Sequence, residues 1–195
     1  MNSIKKKAII TAIALVLILV AIFLVIKNRE VGNDTKNGID VDFGIVDTLN
    51  EGKYKIEKNA GEYVDKKGRF FFSYPKEFTI GNFTDEIGET ILVQKNDDNV
   101  GFQIYISHFD EPGKNITVDR VKEEIPDIEV IDPRPVTING ENIGISFIYN
   151  TNVDSDNESR EIWIAKNGYL YQMTTYKSEQ ALLKEILQTW KFLTE

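Results

Sequence analysis

The hydrophobic pattern divides the chain into two unlike parts. From Ala8 to Ile26 the sequence reads AIITAIALVLILVAIFLVI, without charge, Pro or Gly and with Thr11 as its only polar side chain. At about 1.5 Å of rise per residue such a helix is roughly 28 Å long, close to the roughly 30 Å hydrocarbon core of a bilayer. The pattern predicts a stub over 1–7, a single transmembrane helix over 8–26 and a polar stalk over 27–61. Within the stalk, Ile39-Asp40-Val41-Asp42-Phe43 alternates and can pair as a strand. A folded head over 62–195 follows.

Alternation organises the head. Arg69-Phe70-Phe71-Phe72-Ser73-Tyr74-Pro75 reads as an aromatic strand stopped by its Pro, and Thr90 to Lys95 as a second strand. Phe102, Ile104 and Ile106 alternate with Gln103, Tyr105 and Ser107, so the third strand pairs with the second as an antiparallel hairpin. Thr117 is placed to cap a short helix carrying Val118, Val121 and Ile125, which Pro126 ends, and Asp132-Pro133-Arg134-Pro135 reads as a loop. For the next hairpin a four-residue loop over Asn139 to Asn142 puts Val136, Ile138, Ile143, Ile145, Phe147 and Tyr149 on one face. A two-residue turn would set Ile138 against Glu141 and split that set. Asn167-Gly168 is a strong type I′ turn signal. Counting outward from it pairs Ile164 with Tyr171, Ile162 with Met173, Trp163 with Gln172 and Glu161 with Thr174. A final helix capped by Ser178 runs to about Thr189 with an apolar stripe of Leu182, Leu183, Ile186, Leu187 and Trp190. Hairpins with interspersed helices indicate an α+β domain, a mostly antiparallel sheet flanked by helices.

Charge sets the orientation. The formal charge of the 195-residue chain is −8, yet residues 1–30 hold five Lys/Arg and one acid, leaving a net of −12 beyond them. Lys5, Lys6 and Lys7 before the apolar run keep the N-terminus in the cytoplasm and place the head outside, at the cell membrane. The apolar run exceeds a signal-peptide core and leads into Lys27-Asn28-Arg29-Glu30 without a small-residue cleavage site, so it reads as a retained anchor from Ala8 to Ile26 in contact with membrane lipid. The acidic head repels phosphates and argues against nucleic-acid binding. The absence of Cys excludes disulfides, thiolate chemistry and a lipidated Cys.

The strings Phe70-Phe71-Phe72-Ser73-Tyr74-Pro75-Lys76-Glu77-Phe78 and Leu170-Tyr171-Gln172-Met173-Thr174-Thr175-Tyr176, the latter followed by the closing helix and Trp190-Lys191-Phe192, resemble the PsbP/Mog1-like family. They correspond to that family's opening strand with its Tyr-Pro turn and to its closing strand, helix and tail, and the likeness runs from about Tyr63 to Phe192. The family includes extrinsic photosystem subunits, a Ran-binding nuclear factor and uncharacterised bacterial proteins. The resemblance implies the fold, and a non-catalytic accessory or binding role of the kind many members have. It carries over no binding residue.

Motifs for catalysis are sparse. His108 is the only His and its neighbour Ser107 points to the opposite strand face, so no conventional triad forms and His108 reads as a strand-end residue. Asp154, Asp156 and Glu158 place oxygens at alternate positions, a spacing that Ca²⁺ can use. The Gly and the bidentate closing Glu of a full Ca²⁺ loop are missing, and a solvated hairpin loop is the simpler reading. No phosphate loop, zinc helix or nucleophile elbow occurs, and no cofactor is expected. Trp163 and Tyr105 fall opposite the apolar sets of their own strands, beside Gln172, Thr174 and Gln103. If one sheet face is open, they form an aromatic and amide patch suited to a protein or glycan partner in the envelope. If the helix from Thr117 covers that face, they are buried. The leading expectation is an anchored, extracytoplasmic, non-catalytic binding module. The alternatives are an envelope hydrolase using two carboxylates and a Ca²⁺-dependent adhesion module.

Overall fold

A computed structural model describes residues 38–42, 54–95, 100–111, 115–150 and 158–193. The apolar run over 8–26 and Lys5 to Lys7 lie outside these residues. Among the described residues no helix is long and apolar enough to cross a membrane.

The elements in chain order are β1 (Asp40–Val41), β2 (Gly61–Val64), β3 (Phe70–Tyr74), β4 (Phe78–Thr84), β5 (Gly88–Lys95), β6 (Gly101–His108), α1 (Val118–Glu124), β7 (Ile131–Ile138), β8 (Glu141–Asn150), β9 (Glu158–Lys166), β10 (Tyr169–Tyr176), α2 (Gln180–Thr189) and β11 (Lys191–Phe192). Eight strands form one sheet in the order β1-β7-β8-β9-β10-β6-β5-β4, and β11-β3-β2 form a second. Every pairing is antiparallel, as hairpin connections require. The expected mostly antiparallel α+β head is what the described residues form.

One core lies between the inner face of the large sheet, the small sheet and α2. Phe70 and Phe72 stack on Trp190 with ring centroids at 4.3 and 5.4 Å, while Leu182, Leu183, Ile186 and Leu187 turn the apolar stripe of α2 inward. A smaller core on the opposite sheet face joins Val121 of α1 with Phe109, Ile116, Ile128, Ile145, Phe147, Trp163 and Leu170. Thr117 caps α1 as expected, its Oγ1 accepting the Arg120 N–H at 3.2 Å.

Two features differ from the sequence expectation in instructive ways. The β7–β8 turn is the two residues Asn139-Gly140, with φ of 51° and 81°, and Ile138 does pair with Glu141. The conflict this creates is absorbed by a bulge: Thr137 pairs with Asn142 but Val136 pairs with Gly144, so Ile143 is the extra residue. Val136 and Ile143 therefore enter the main core, whereas Ile145 and Phe147 enter the smaller one. Ser178 sits in a 3₁₀ turn, Lys177–Glu179, ahead of α2 and caps nothing; the residue preceding α2 is Glu179.

Part of the segment assigned to the stalk belongs to this fold. Ile39 and Val41 are buried and β1 pairs with β7, while Tyr54 and Ile56 pack against the core. Strand β4 and the Pro-bearing start of β7 were not marked by alternation. In β4 the alternation begun by Phe78 and Ile80 breaks at Gly81 and Asn82 with Phe83 on the other face, and Pro133 and Pro135 make the start of β7 read as the loop expected over Asp132 to Pro135.

A buried ionic cluster ties the β2–β3 connection to β5. Arg69, 4% exposed, donates to Asp65 from Nε at 2.7 Å and from Nη2 at 2.9 Å, and to Glu89 at 2.9 and 3.2 Å. Lys67 Nζ completes it at 2.7 Å from Glu89. Burial alone would raise both carboxyls, but hydrogen bonds and charge from Arg69 bring Asp65 below its ordinary value, and Lys67 with Arg69 does the same for Glu89.

Candidate functional site

The second face of the large sheet carries the candidate site, and strand register dictates which side chains meet there. Cross-strand pairing aligns Phe83, Thr90, Tyr105, Gln172, Trp163 and Ile145 in one row. The next row on the same face is Gly81, Leu92, Gln103, Thr174, Glu161 and Phe147. Helix α1 and the turn after it cover the end of these rows that holds Trp163 and Phe147. Gln103 and Phe83 on the far strands stay exposed, Phe83 at 60%. What remains is a cavity of about 250 Å³ floored by Gln103, Tyr105, Phe147, Tyr149, Glu161, Trp163, Gln172 and Thr174 and walled by Ile125 and Ile128. An adjoining hollow of about 430 Å³ shares Gln103 and Thr174 and extends over Leu92, Gln94 and Tyr176.

Four residues marked from sequence, Tyr105, Trp163, Gln172 and Thr174, thus line a single cavity. They do not do so as an open aromatic patch. Trp163 is 2% exposed, buried in the cluster with Val121 of α1, because the helix that caps this face covers β9. Tyr105 keeps partial exposure. Its ring lies over Gly88, where an added Cβ would stand 2.6 Å from the ring. Gly88→Ala is expected to push the Tyr105 ring aside at a cost of roughly 1 kcal/mol, since the ring is the free end of a side chain that can yield. Ring resonances of Tyr105 together with a denaturant melt measure this; unshifted resonances would contradict it.

The residue that sequence reasoning passed over is Glu161. Thr174 Oγ1 donates to its Oε2 at 3.0 Å, and the Trp163 side chain donates a second hydrogen bond. Burial outweighs both and pushes the carboxyl up to about 7. The signal was present in the register, which set Glu161 opposite Thr174 on the face of Trp163. A single acid on an amide-rich strand face reads as solvated until a helix is known to cover that face. Burial also raises the Tyr105 phenol, with the Asp85 carboxylate adding to it.

The remaining candidates stand apart. His108 is exposed at the end of β6, its Nδ1 2.8 Å from Asp110 Oδ1, and lines neither hollow. Asp154 and Asp156 lie outside the described residues, and Glu158 forms an ion pair with Lys177. Among the described residues that line the cavity and its neighbour, Glu161 is the single acid and no Lys, Arg or His joins it. Beside the Glu161 carboxyl, the described lining of the cavity offers the amides of Gln103 and Gln172, the Thr174 hydroxyl and the aromatic surface of Tyr105, Tyr149, Phe147 and Trp163.

No family model matches the chain, and no curated protein matches it. Among solved structures it is similar to the solution structure of cyanobacterial PsbP (CyanoP) from Synechocystis sp. PCC 6803, at 11% identity and a TM-score of 0.48, over 70% of this chain and 95% of that one.

Proposed function

We propose that the protein is a membrane-tethered binding module of the cell envelope, with an extracytoplasmic PsbP/Mog1-like head that acts by holding a ligand and not by turning one over. The observation that supports this most is the groove: partly open, floored by Tyr105, Gln103, Gln172 and Thr174, and equipped, among its described lining residues, with one carboxyl and with no basic residue or second acid. The tether rests on the apolar run from Ala8 to Ile26 and its flanking Lys5 to Lys7. The partner is an envelope protein or glycan that presents neutral or cationic groups, since Glu161 disfavours an anion there.

Thermal-shift titration of the full-length protein in detergent against envelope-derived peptides and glycans tests the reading. A ligand that raises the melting temperature of the wild type and fails to do so with Tyr105→Ala is the expected result. Turnover of any of these compounds, lost on replacing Glu161, would instead make the groove an active site.

A further inference from the structure

We propose that the cavity beside Glu161 binds an organic ammonium group, a proposal that rests on the reading of the groove as a ligand site. The other partly buried acids of the head mostly have a cation built in. Asp65 and Glu89 face Arg69, Glu158 faces Lys177, and Glu111 faces Arg120. Among the described residues, Glu161 has as partners only the Thr174 hydroxyl and the Trp163 side chain, both neutral donors. A carboxylate held in a sheltered hollow without a countercharge is costly to ionise, and a ligand that brings the countercharge removes that cost.

The surroundings select the kind of cation. From β6 come Gln103 and Tyr105, from β8 Phe147 and Tyr149, from β10 Gln172 and Thr174, and from the turn after α1 Ile125 and Ile128. None of these is charged at neutral pH, and the only titratable ones are the two tyrosines. A bare metal ion needs several oxygen ligands and would find one carboxylate. An alkylammonium head instead gains from the partly exposed faces of Tyr105 and Tyr149, where ring quadrupoles attract cations, and from apolar walls that accept its methylenes or methyls. The hollow of about 250 Å³ suits a headgroup, and the adjoining hollow of about 430 Å³ gives the rest of the ligand a path outward over Thr174. Because the ligand pairs with the ionised carboxylate, binding expels the proton that Glu161 holds in the free protein. Affinity therefore falls as pH drops below about 7.

The test titrates the full-length protein, in a polyoxyethylene detergent free of amines, with choline, butylammonium and the uncharged choline isostere 3,3-dimethylbutanol. Binding is read by NMR at Gln172 and Thr174. At pH 8 at least one ammonium probe should saturate these signals at tenfold lower concentration than the isostere. At pH 5.5 its affinity should fall roughly thirtyfold, and Glu161→Gln, whose fold is checked by the same spectra, should abolish the preference for the charged probe. A lead for choline points to a quaternary headgroup, and a lead for butylammonium to a lysine-type amine. Equal binding of the isostere, or binding indifferent to pH and to Glu161→Gln, overturns the ammonium assignment while leaving the groove a ligand site. If no probe binds but a neutral glycan does, the ammonium assignment is overturned as well. Failure of every probe, peptide and glycan to bind overturns both readings.

Discussion

Glu161→Gln should stabilise the head at pH 8 by about 3 kcal/mol and flatten its stability between pH 4.5 and 7. In the folded protein burial holds the carboxyl at about 7, against 4.5 for the free side chain. Between these values the folded state binds more protons than the unfolded chain, so the stability of the wild type falls as pH rises through that window. At about 1.4 kcal/mol per unit the loss is complete above pH 7 and absent below pH 4.5. Glutamine keeps an acceptor for Thr174 or Trp163 and has no charge to desolvate. Urea melts of both proteins at pH 5, 6, 7 and 8 measure the difference. Parallel profiles would show that the carboxyl is not held out of water. A destabilisation of this size at neutral pH is the cost that the proposed ligand-binding role of Glu161 would carry.

Arg69→Met should cost about 3–5 kcal/mol at neutral pH, the largest effect expected of a single substitution in the ionic cluster. The guanidinium is buried, and its loss strands the Asp65 carboxylate, itself 4% exposed, without a cation. The acid side of the wild-type profile follows from the same geometry. Asp65 and Glu89 titrate below their ordinary values when folded, so their contribution is present above the unfolded values and is lost as pH falls through the folded ones. In the Arg69→Met protein that loss should shrink but not vanish, since Glu89 keeps Lys67 and Asp65 keeps the backbone N–H groups at positions 67 and 69; Asp65→Asn added to it should recover part of the deficit. Denaturant melts at pH 7 and pH 3 check both points, and a cost below about 1 kcal/mol would mean that water reaches Asp65.

The two turns show how far a sequence can be read. Asn167-Gly168 sets the β9–β10 register without interference, and each pair counted outward from it is present, down to Glu161 with Thr174. Asn139-Gly140 carries the same signal, but there the apolar pattern argued for a longer loop. A bulge at Ile143 changes faces within one strand, and nothing local in the sequence announces it. The site was half legible for a related reason. Alternation and register place Tyr105, Gln172, Thr174 and Trp163 on one face, yet only the packing of α1 decides that Trp163 is floor and that Glu161 is sheltered. Burial of a face by an element about forty residues away is a tertiary fact, and the chemistry of Glu161 depends on it.

The stack of Phe70 and Phe72 on Trp190 also bears on how the molecule is made. These rings belong to opposite ends of the head, and the Ser73 and Thr189 hydrogen bond beside them spans 116 residues. Synthesis runs from the N-terminus, so β3 is made more than a hundred residues before α2 and β11 can cover it. The opening aromatic strand, Phe-Phe-Phe-Ser-Tyr, must wait for the final helix, and closure of the main core is necessarily the last step in the birth of the domain.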